Sequence, residues 1–197
     1  MSRLSANAAA GAVLSDRQII QSVRNKEIVI QPFDMRLVRG ASVCLRLGTK
    51  SMQLKCPKAV DVRTESSYPR YSLIEFGATT GIEIPRKTLI LADTLEQIAL
   101  PRGIVGWLSN LSGLARLGLQ VVLSNLVSPG YGEHGPTSLT LELFNALEVP
   151  LRVYSEMRIC HLMFLRVQEP ATKSYDAQVG TYALQSGPRG SLFYTDF

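Results

Sequence analysis

The sequence predicts an all-β domain, a sandwich or distorted barrel, preceded by one short helix. Three observations carry that expectation. Short β-branched runs succeed one another between positions 28 and 167. Gly, Pro, Asn and Asp punctuate the runs, as turn residues do between strands. Before them, a single short segment places Ile19, Ile20 and Val23 at helical spacing.

Each element has its own reason. Ser15 followed by Gln18 reads as a capping box, which starts a helix running to about residue 26. The strand candidates are 28–30, 42–47, 72–76, 88–92, 96–100, 104–108, 119–123, 138–144, 151–154 and 158–167. Residues 111–117 fit a brief helix between two strands, because Leu, Ala and Arg are good helix formers. Gly118 then ends it. Residues 1–13 are small, Ala-rich and free of acids, and are expected to be a disordered tail. Residues 14–167 form the domain. Residues 168–197 are polar, contain Gly and carry Tyr175, Tyr182 and Tyr194, and read as a C-terminal tail that orders on a ligand or a neighbouring subunit.

Composition bounds the function. A chain of 197 residues suffices to bury one sizeable core. The net charge of +5 fits a polyanionic ligand such as a nucleotide, though a merely soluble basic protein has the same charge. The basic residues are scattered, so no nucleic-acid stripe is expected. No apolar run has the length of a membrane span, and no membrane partner is expected. Cys44, Cys56 and Cys160 are odd in number and widely spaced, which suits a reducing compartment and a cytoplasmic protein. His134 and His161 are isolated, and no H-x-E precedes a P-C-x-x-C, so no zinc-bound water is expected. His161, inside the apolar run Ile159, Leu162, Met163 and Phe164, reads as a hydrogen-bonded structural histidine.

Three constellations carry possible chemistry. On the strand at 138–144, alternation sends Leu139, Leu141 and Leu143 into the core and Ser138, Thr140, Glu142 and Phe144 to the other face. Glu142 is then either a solvent-facing charge or a cleft carboxylate whose pKa is raised by partial burial for proton transfer. In Ser112-Gly113-Leu114-Ala115-Arg116, Gly113 permits close approach of backbone to a ligand. Ser112 and Arg116 share a helical face four residues apart, as they would also do on a capped, solvated turn. Pro129-Gly130-Tyr131-Gly132 is a turn that either presents backbone groups and Tyr131 to a base or only connects strands.

Read in order, these pieces resemble the deoxycytidine triphosphate (dCTP) deaminase family, which shares a fold with the trimeric dUTPases. Leu14-Ser15-Asp16-Arg17-Gln18-Ile19 resembles L-S-D-x-x-I, and Ile30-Gln31-Pro32-Phe33-Asp34 resembles I-x-P-F-D. Ala41-Ser42-Val43-Cys44-Leu45-Arg46-Leu47-Gly48 resembles A-S-Y-D-L-R-L-G, with Val43-Cys44 at the Tyr-Asp pair. Ala92-Asp93-Thr94-Leu95-Glu96 is similar to A-x-T-x-E, and residues 112–119 to S-S-L-A-R-L-G-L. Pro129-Gly130-Tyr131, Leu141-Glu142-Leu143-Phe144-Asn145 and Gln185-Ser186-Gly187-Pro188 resemble P-G-[FWY], L-E-[LFY]-x-N and Q-x-G-P.

The resemblance implies a homotrimer of distorted, jelly-roll-like β-barrels of the dUTPase-like β-clip type, with active sites between subunits. It implies metal-independent hydrolytic deamination of a cytosine deoxynucleotide, dCTP to dUTP and ammonia. Glu142 would be the general acid/base, Ser112 would position phosphate and the catalytic water, and Arg116 would support base and sugar. Gly113, Ser124, Asn125, Tyr131, Tyr175 and Gln185 would bind substrate, the last two from the tail that closes over the triphosphate. Mg²⁺ would accompany the phosphates.

Several charges of the family pattern are replaced. Leu111 and Leu126 stand at Arg positions, Ser128 at the Asp before Pro-Gly, and Thr181 at a tail Lys. The Asp position activates water in dUTPases, so the resemblance does not extend to dUTP hydrolysis. Where the family has Thr-Ala upstream of Asp-Pro-Gly, this chain has Leu123-Ser124-Asn125, and the stretch leading to Pro129 is one residue shorter. A charge-assisted hydrogen bond contributes about 1.5–3 kcal/mol, so three lost against a triphosphate weaken it by several orders of magnitude. Three alternatives follow. Arg102, Arg158 or Arg189 compensates; the nucleotide is less phosphorylated or modified; or the chain is a non-catalytic nucleotide-binding or regulatory homologue.

Overall fold

The computed structural model describes residues 12–178 and 180–197. The expectation of a disordered segment at 1–13 therefore falls largely outside the described residues. Where description begins, the Ala12 carbonyl accepts the backbone N–H of Arg166, and Val13 bridges Leu165.

The chain opens with helix α1 (Asp16–Arg24), and the capping box is present in both directions. Ser15 accepts the N–H of Gln18, whose side chain accepts the N–H of Ser15. Ile19 is buried, and Ile20 and Val23 are half-buried against the domain. Strands β1 (Val29–Gln31), β2 (Val38–Arg39), β3 (Ser42–Lys55), β4 (Arg70–Glu75), β5 (Ile82–Ile84), β6 (Leu89–Ala99) and β7 (Ile104–Asn110) follow. The short helix α2 (Ser112–Arg116) comes next, and Gly118, at φ +75°, turns the chain out of it. Then come β8 (Leu119–Gln120), β9 (Leu126–Val127), β10 (Thr137–Asn145), β11 (Leu151–Val153), β12 (Arg158–Arg166) and the tail helix α3 (Tyr175–Gln178).

The main sheet runs β8-β10-β6-β3-β12-β7-β9, with β1 on β6 and both β2 and β4 on β3. All its pairings are antiparallel. The sheet curls because β3 serves two neighbourhoods. Its first half pairs with β12, and its second half pairs with β6 and β4. Register shifts between Leu47 and Ser51, between Arg158 and Cys160, and between Ser138 and Thr140 add the local bends that bulges bring. The core inside the curl includes Leu45, Leu47, Ile90, Ile98, Leu141 and Phe164, all essentially without solvent contact.

Two strands expected at 88–92 and 96–100 are one strand, β6. Asp93 and Thr94, in the gap between the two expected strands, are buried within it. Asp93 accepts the N–H of Lys50 at 3.1 Å, and the missing Cβ of Gly48 leaves room for its carboxylate. The Thr94 hydroxyl donates to the Glu96 carbonyl and accepts the N–H of Leu139. Tertiary partners thus satisfy both residues inside the sheet. The strand expected at 119–123 stops at Gln120, because Asn110 Oδ1 takes the N–H groups of Val121 and Val122. Strands β2, β5 and β9 have two or three residues each and gave no periodic signal.

Candidate active site

A cleft of about 670 Å³ opens between the second face of β10, the β3–β4 loop and the C-terminal tail. Its floor is set by alternation along β10. Leu141 and Leu143 are buried, whereas Thr140 and Glu142 are half-buried and line the cleft. One Glu142 carboxylate oxygen accepts the backbone N–H groups of Ser124 at 3.3 Å and Leu123 at 3.4 Å. Burial raises the Glu142 pKa above the ordinary glutamate value, while the two N–H groups oppose the rise. The carboxylate is thus held in place yet biased towards accepting a proton, which is what a general acid/base requires.

The turn before β10 forms one wall. Tyr131 is buried, and its hydroxyl donates to the Ser138 carbonyl at 2.9 Å. Burial holds its pKa far above the usual tyrosine value. The Tyr175 ring lies 5.6 Å from the Tyr131 ring. The turn and the tail are locked together. Tyr175 donates its N–H to the Pro129 carbonyl, and Asp176 accepts the N–H groups of Gly132 and His134 at 3.3 and 3.0 Å. A Cβ on Gly130, already at φ +76°, would sit 2.3 Å from the Ser174 Cβ.

The tail then crosses the cleft on its own chain. Gln185 donates through Nε2 to the Ser138 carbonyl and the Thr140 hydroxyl, leaving its buried Oε1 without a partner. Arg189 donates its N–H to the Thr140 hydroxyl and one guanidinium N–H to the Thr181 carbonyl. The hydroxyls of Tyr71 and Tyr182 accept the N–H groups of Ser191 and Leu192. Beyond these, Tyr194 meets Tyr68 edge-on, and Phe197 lies under the Arg63 guanidinium.

Five of the residues expected at the site line this cleft: Glu142, Ser124, Tyr131, Tyr175 and Gln185. Asn125 does not, since its side chain donates to the Leu108 carbonyl and holds β7 against the following loop. Ser112, Gly113 and Arg116 lie exposed on α2, outside the cleft lining. Within one chain they do not complete the Glu142 site. Leu111 lies with them, whereas Leu126 and Ser128 line the cleft. Of the three arginines weighed as replacements, Arg102 pairs with Glu133 and reaches the Thr172 carbonyl. Arg158 begins β12 and does not line the cleft, whereas Arg189 does. Thr140, Tyr182 and the β3–β4 loop were absent from the expected site. Thr140 was detectable by its position two residues from Glu142 on one strand face. Nothing local marks the other two.

His161 has the structural role read from its apolar surroundings. Its Nδ1 lies 3.2 Å from the Ser42 hydroxyl and 3.6 Å from the Cys44 thiol. Burial, Arg39 and Arg158 lower its pKa. Among the described residues, no three His, Cys, Asp or Glu side chains gather as metal ligands. Among the described residues, Glu142 is the one carboxylate lining the cleft, so they bring no set of carboxylate donors for Mg²⁺ together there.

A curled antiparallel sheet with a half-buried carboxylate under a tail-covered aromatic cleft forms a candidate small-molecule site on an all-β scaffold. A family model described as dCTP deaminase-like matches residues 13–167, and the chain belongs to that family. It is 33% identical over 184 residues to a protein of Aquifex aeolicus named dCTP deaminase, dUMP-forming, covering 93% of this chain and 96% of that one. It is also 33% identical over 196 residues to the dCTP deaminase of Alteromonas mediterranea, covering 93% and 97%. The crystal structure of a 2'-deoxycytidine 5'-triphosphate deaminase from Agrobacterium tumefaciens superposes with a TM-score of 0.61 at 17% identity. That match takes in 81% of this chain but spans only about half of the other, 49%, and speaks for the fold alone.

Proposed function

We propose that the chain hydrolytically deaminates a cytosine deoxynucleotide, with Glu142 as general acid/base. The observation that carries this reading is the half-buried Glu142, anchored by the N–H groups of Ser124 and Leu123 and facing the cleft. The carboxylate takes a proton from water as its oxygen bonds to C4 of cytosine. The proton passes to N3, and a second transfer to the amino nitrogen lets ammonia leave as the C4 carbonyl forms. Water and the cytosine ring thus give a uracil ring and ammonia, with no redox change. The names of the relatives and the family match support a cytosine nucleotide as substrate.

Ser112, Gly113 and Arg116 enter this reading from a second copy of the chain. Their exposure on α2 fits sites completed across an interface, as in a homotrimer. Leu117, Leu123 and Trp107 also expose large apolar side chains just after α2, in the loop after β8, and on β7, where a neighbouring copy would cover them. Light scattering should give the mass of three chains. A monomer at micromolar concentration would remove the shared site.

The dUMP-forming relatives raise the question of product. Ser128, a hydroxyl in the cleft wall, has no charge with which to activate a second water, so we propose that the phosphates are retained. Mg²⁺, where present, would ride on the nucleotide. The expected setting is the cytoplasm; among the described residues no helix is long and apolar enough to cross a membrane.

The test measures ammonia release and loss of cytosine absorbance with dCTP, dCMP, CTP and CMP, beside a Glu142→Gln control. Turnover abolished by Glu142→Gln supports the reading, and no turnover of any nucleotide overturns it. A non-catalytic, nucleotide-binding role is the second reading, favoured by Leu126, which is largely exposed in the cleft where a phosphate ligand would need a donor. Tight binding without turnover would establish it.

A further inference from the structure

The cleft is poor in positive charge. Among the described residues that line it, Arg189 is the only cation and Glu142 the only anion. The lining is otherwise apolar or aromatic, or carries neutral hydroxyls and an amide. Arg102 is spent on Glu133, and Arg158 lies outside. Leu126, at 57% exposure, offers an uncharged surface beside Ser128.

We propose that the substrate is a cytosine nucleotide with a single phosphate, gripped by Arg189. The proposal rests on the deaminase reading and specifies its substrate. A phosphomonoester carries about −1.5 to −2 charges at neutral pH, and each further phosphoryl adds to that. Arg189, joined by Arg116 of a second copy as proposed above, would balance one such group. A triphosphate would bring further charged groups for which the described residues lining the cleft hold no second cation.

Position agrees with charge. The Arg189 backbone N–H is bonded to the Thr140 hydroxyl, two residues along β10 from Glu142 on the same face. That strand step is about 7 Å. The guanidinium gives one N–H to the Thr181 carbonyl and keeps donors for a ligand. Because Arg189 belongs to the tail, a phosphate bound there would also hold the tail over the base.

The experiment compares deoxycytidine, dCMP, dCDP and dCTP as substrates of the full-length protein and of Arg189→Gln. We expect kcat/KM for dCMP to exceed that for dCTP by about tenfold or more. In Arg189→Gln, kcat/KM for dCMP should fall about 10- to 100-fold further than kcat/KM for deoxycytidine. Arg189→Lys should restore part of the loss, which separates a charge effect from misfolding. A preference for dCTP, or an equal loss on deoxycytidine and dCMP, overturns the proposal. If no substrate turns over, the deaminase reading fails while the phosphate count stays testable. Calorimetry on the same protein then supports the proposal if dCMP binds more tightly than dCTP, and overturns it if the order is reversed.

Discussion

Glu142 Oε2 accepts the backbone N–H of Ser124 at 3.3 Å, so a loop fixes the carboxylate that β10 presents. Burial raises its pKa above the ordinary 4.5. A carboxyl with a raised folded pKa contributes stability that is fully present below the unfolded value and is lost as pH rises through the folded value. Glu142→Gln should therefore be more stable than wild type near about pH 8, with the gap closing towards about pH 4. Urea unfolding at both pH values measures it, and a gap independent of pH would contradict the assignment. The same variant should lose roughly a hundred- to ten-thousand-fold in kcat on its substrate.

Among the described residues, Arg46 and Glu96 form the most buried ion pair, with Nε to Oε1 at 2.7 Å and the Arg46 N–H on Oε2 at 2.8 Å. The Glu96 side chain is 1% exposed, so losing its partner strands a charge in the core. Arg46→Met is expected to cost about 3–5 kcal/mol in urea unfolding. Arg166→Met, which breaks the more exposed pair with Glu27, should cost about 1 kcal/mol or less. Equal costs would show that burial does not govern these pairs.

Asp176 fastens α3 to the turn that holds Tyr131. Asp176→Ala leaves the N–H groups of Gly132 and His134 without their acceptor, at a cost of about 1–3 kcal/mol each where they stay buried. The expected result is faster proteolysis within residues 170–197 and a higher KM, with kcat less affected. Unchanged tail protection would refute the anchoring role.

Gly130→Ala tests the same joint sterically. The added Cβ meets Ser174 at 2.3 Å in a backbone region that costs an L-residue about 1–2 kcal/mol. Gly113→Ala, whose Cβ would meet nothing within 4 Å, should leave the fold of the single chain unchanged. Thermal melting of the two variants should separate them clearly.

Much of this arrangement was legible locally. The capping box of α1, the brief α2 ended by Gly118, and the alternation of β10 each depend on residues a few positions apart. Asp93 and Thr94 misled for a physical reason. Both are turn formers by local preference, but Lys50 and Leu139 satisfy them inside β6. Asn125 lies outside the cleft lining, and its side chain donates to the Leu108 carbonyl. The tail's course over the cleft had no periodic signature, because single hydrogen bonds and ring contacts place it.

The sequence alone determined the all-β class, the family resemblance and the carboxylate on the second face of β10, since each follows from short-range pattern and residue order. Only the tertiary structure decided which groups meet that carboxylate. It gave Glu142 the N–H groups of Ser124 and Leu123, placed Tyr131, Gln185 and Arg189 along the same cleft, and left Ser112 and Arg116 outside on α2. The curl of β3 between two sets of partners and the docking of Asp176 set those distances. Both depend on contacts between residues far apart in the chain, where local propensity carries no information.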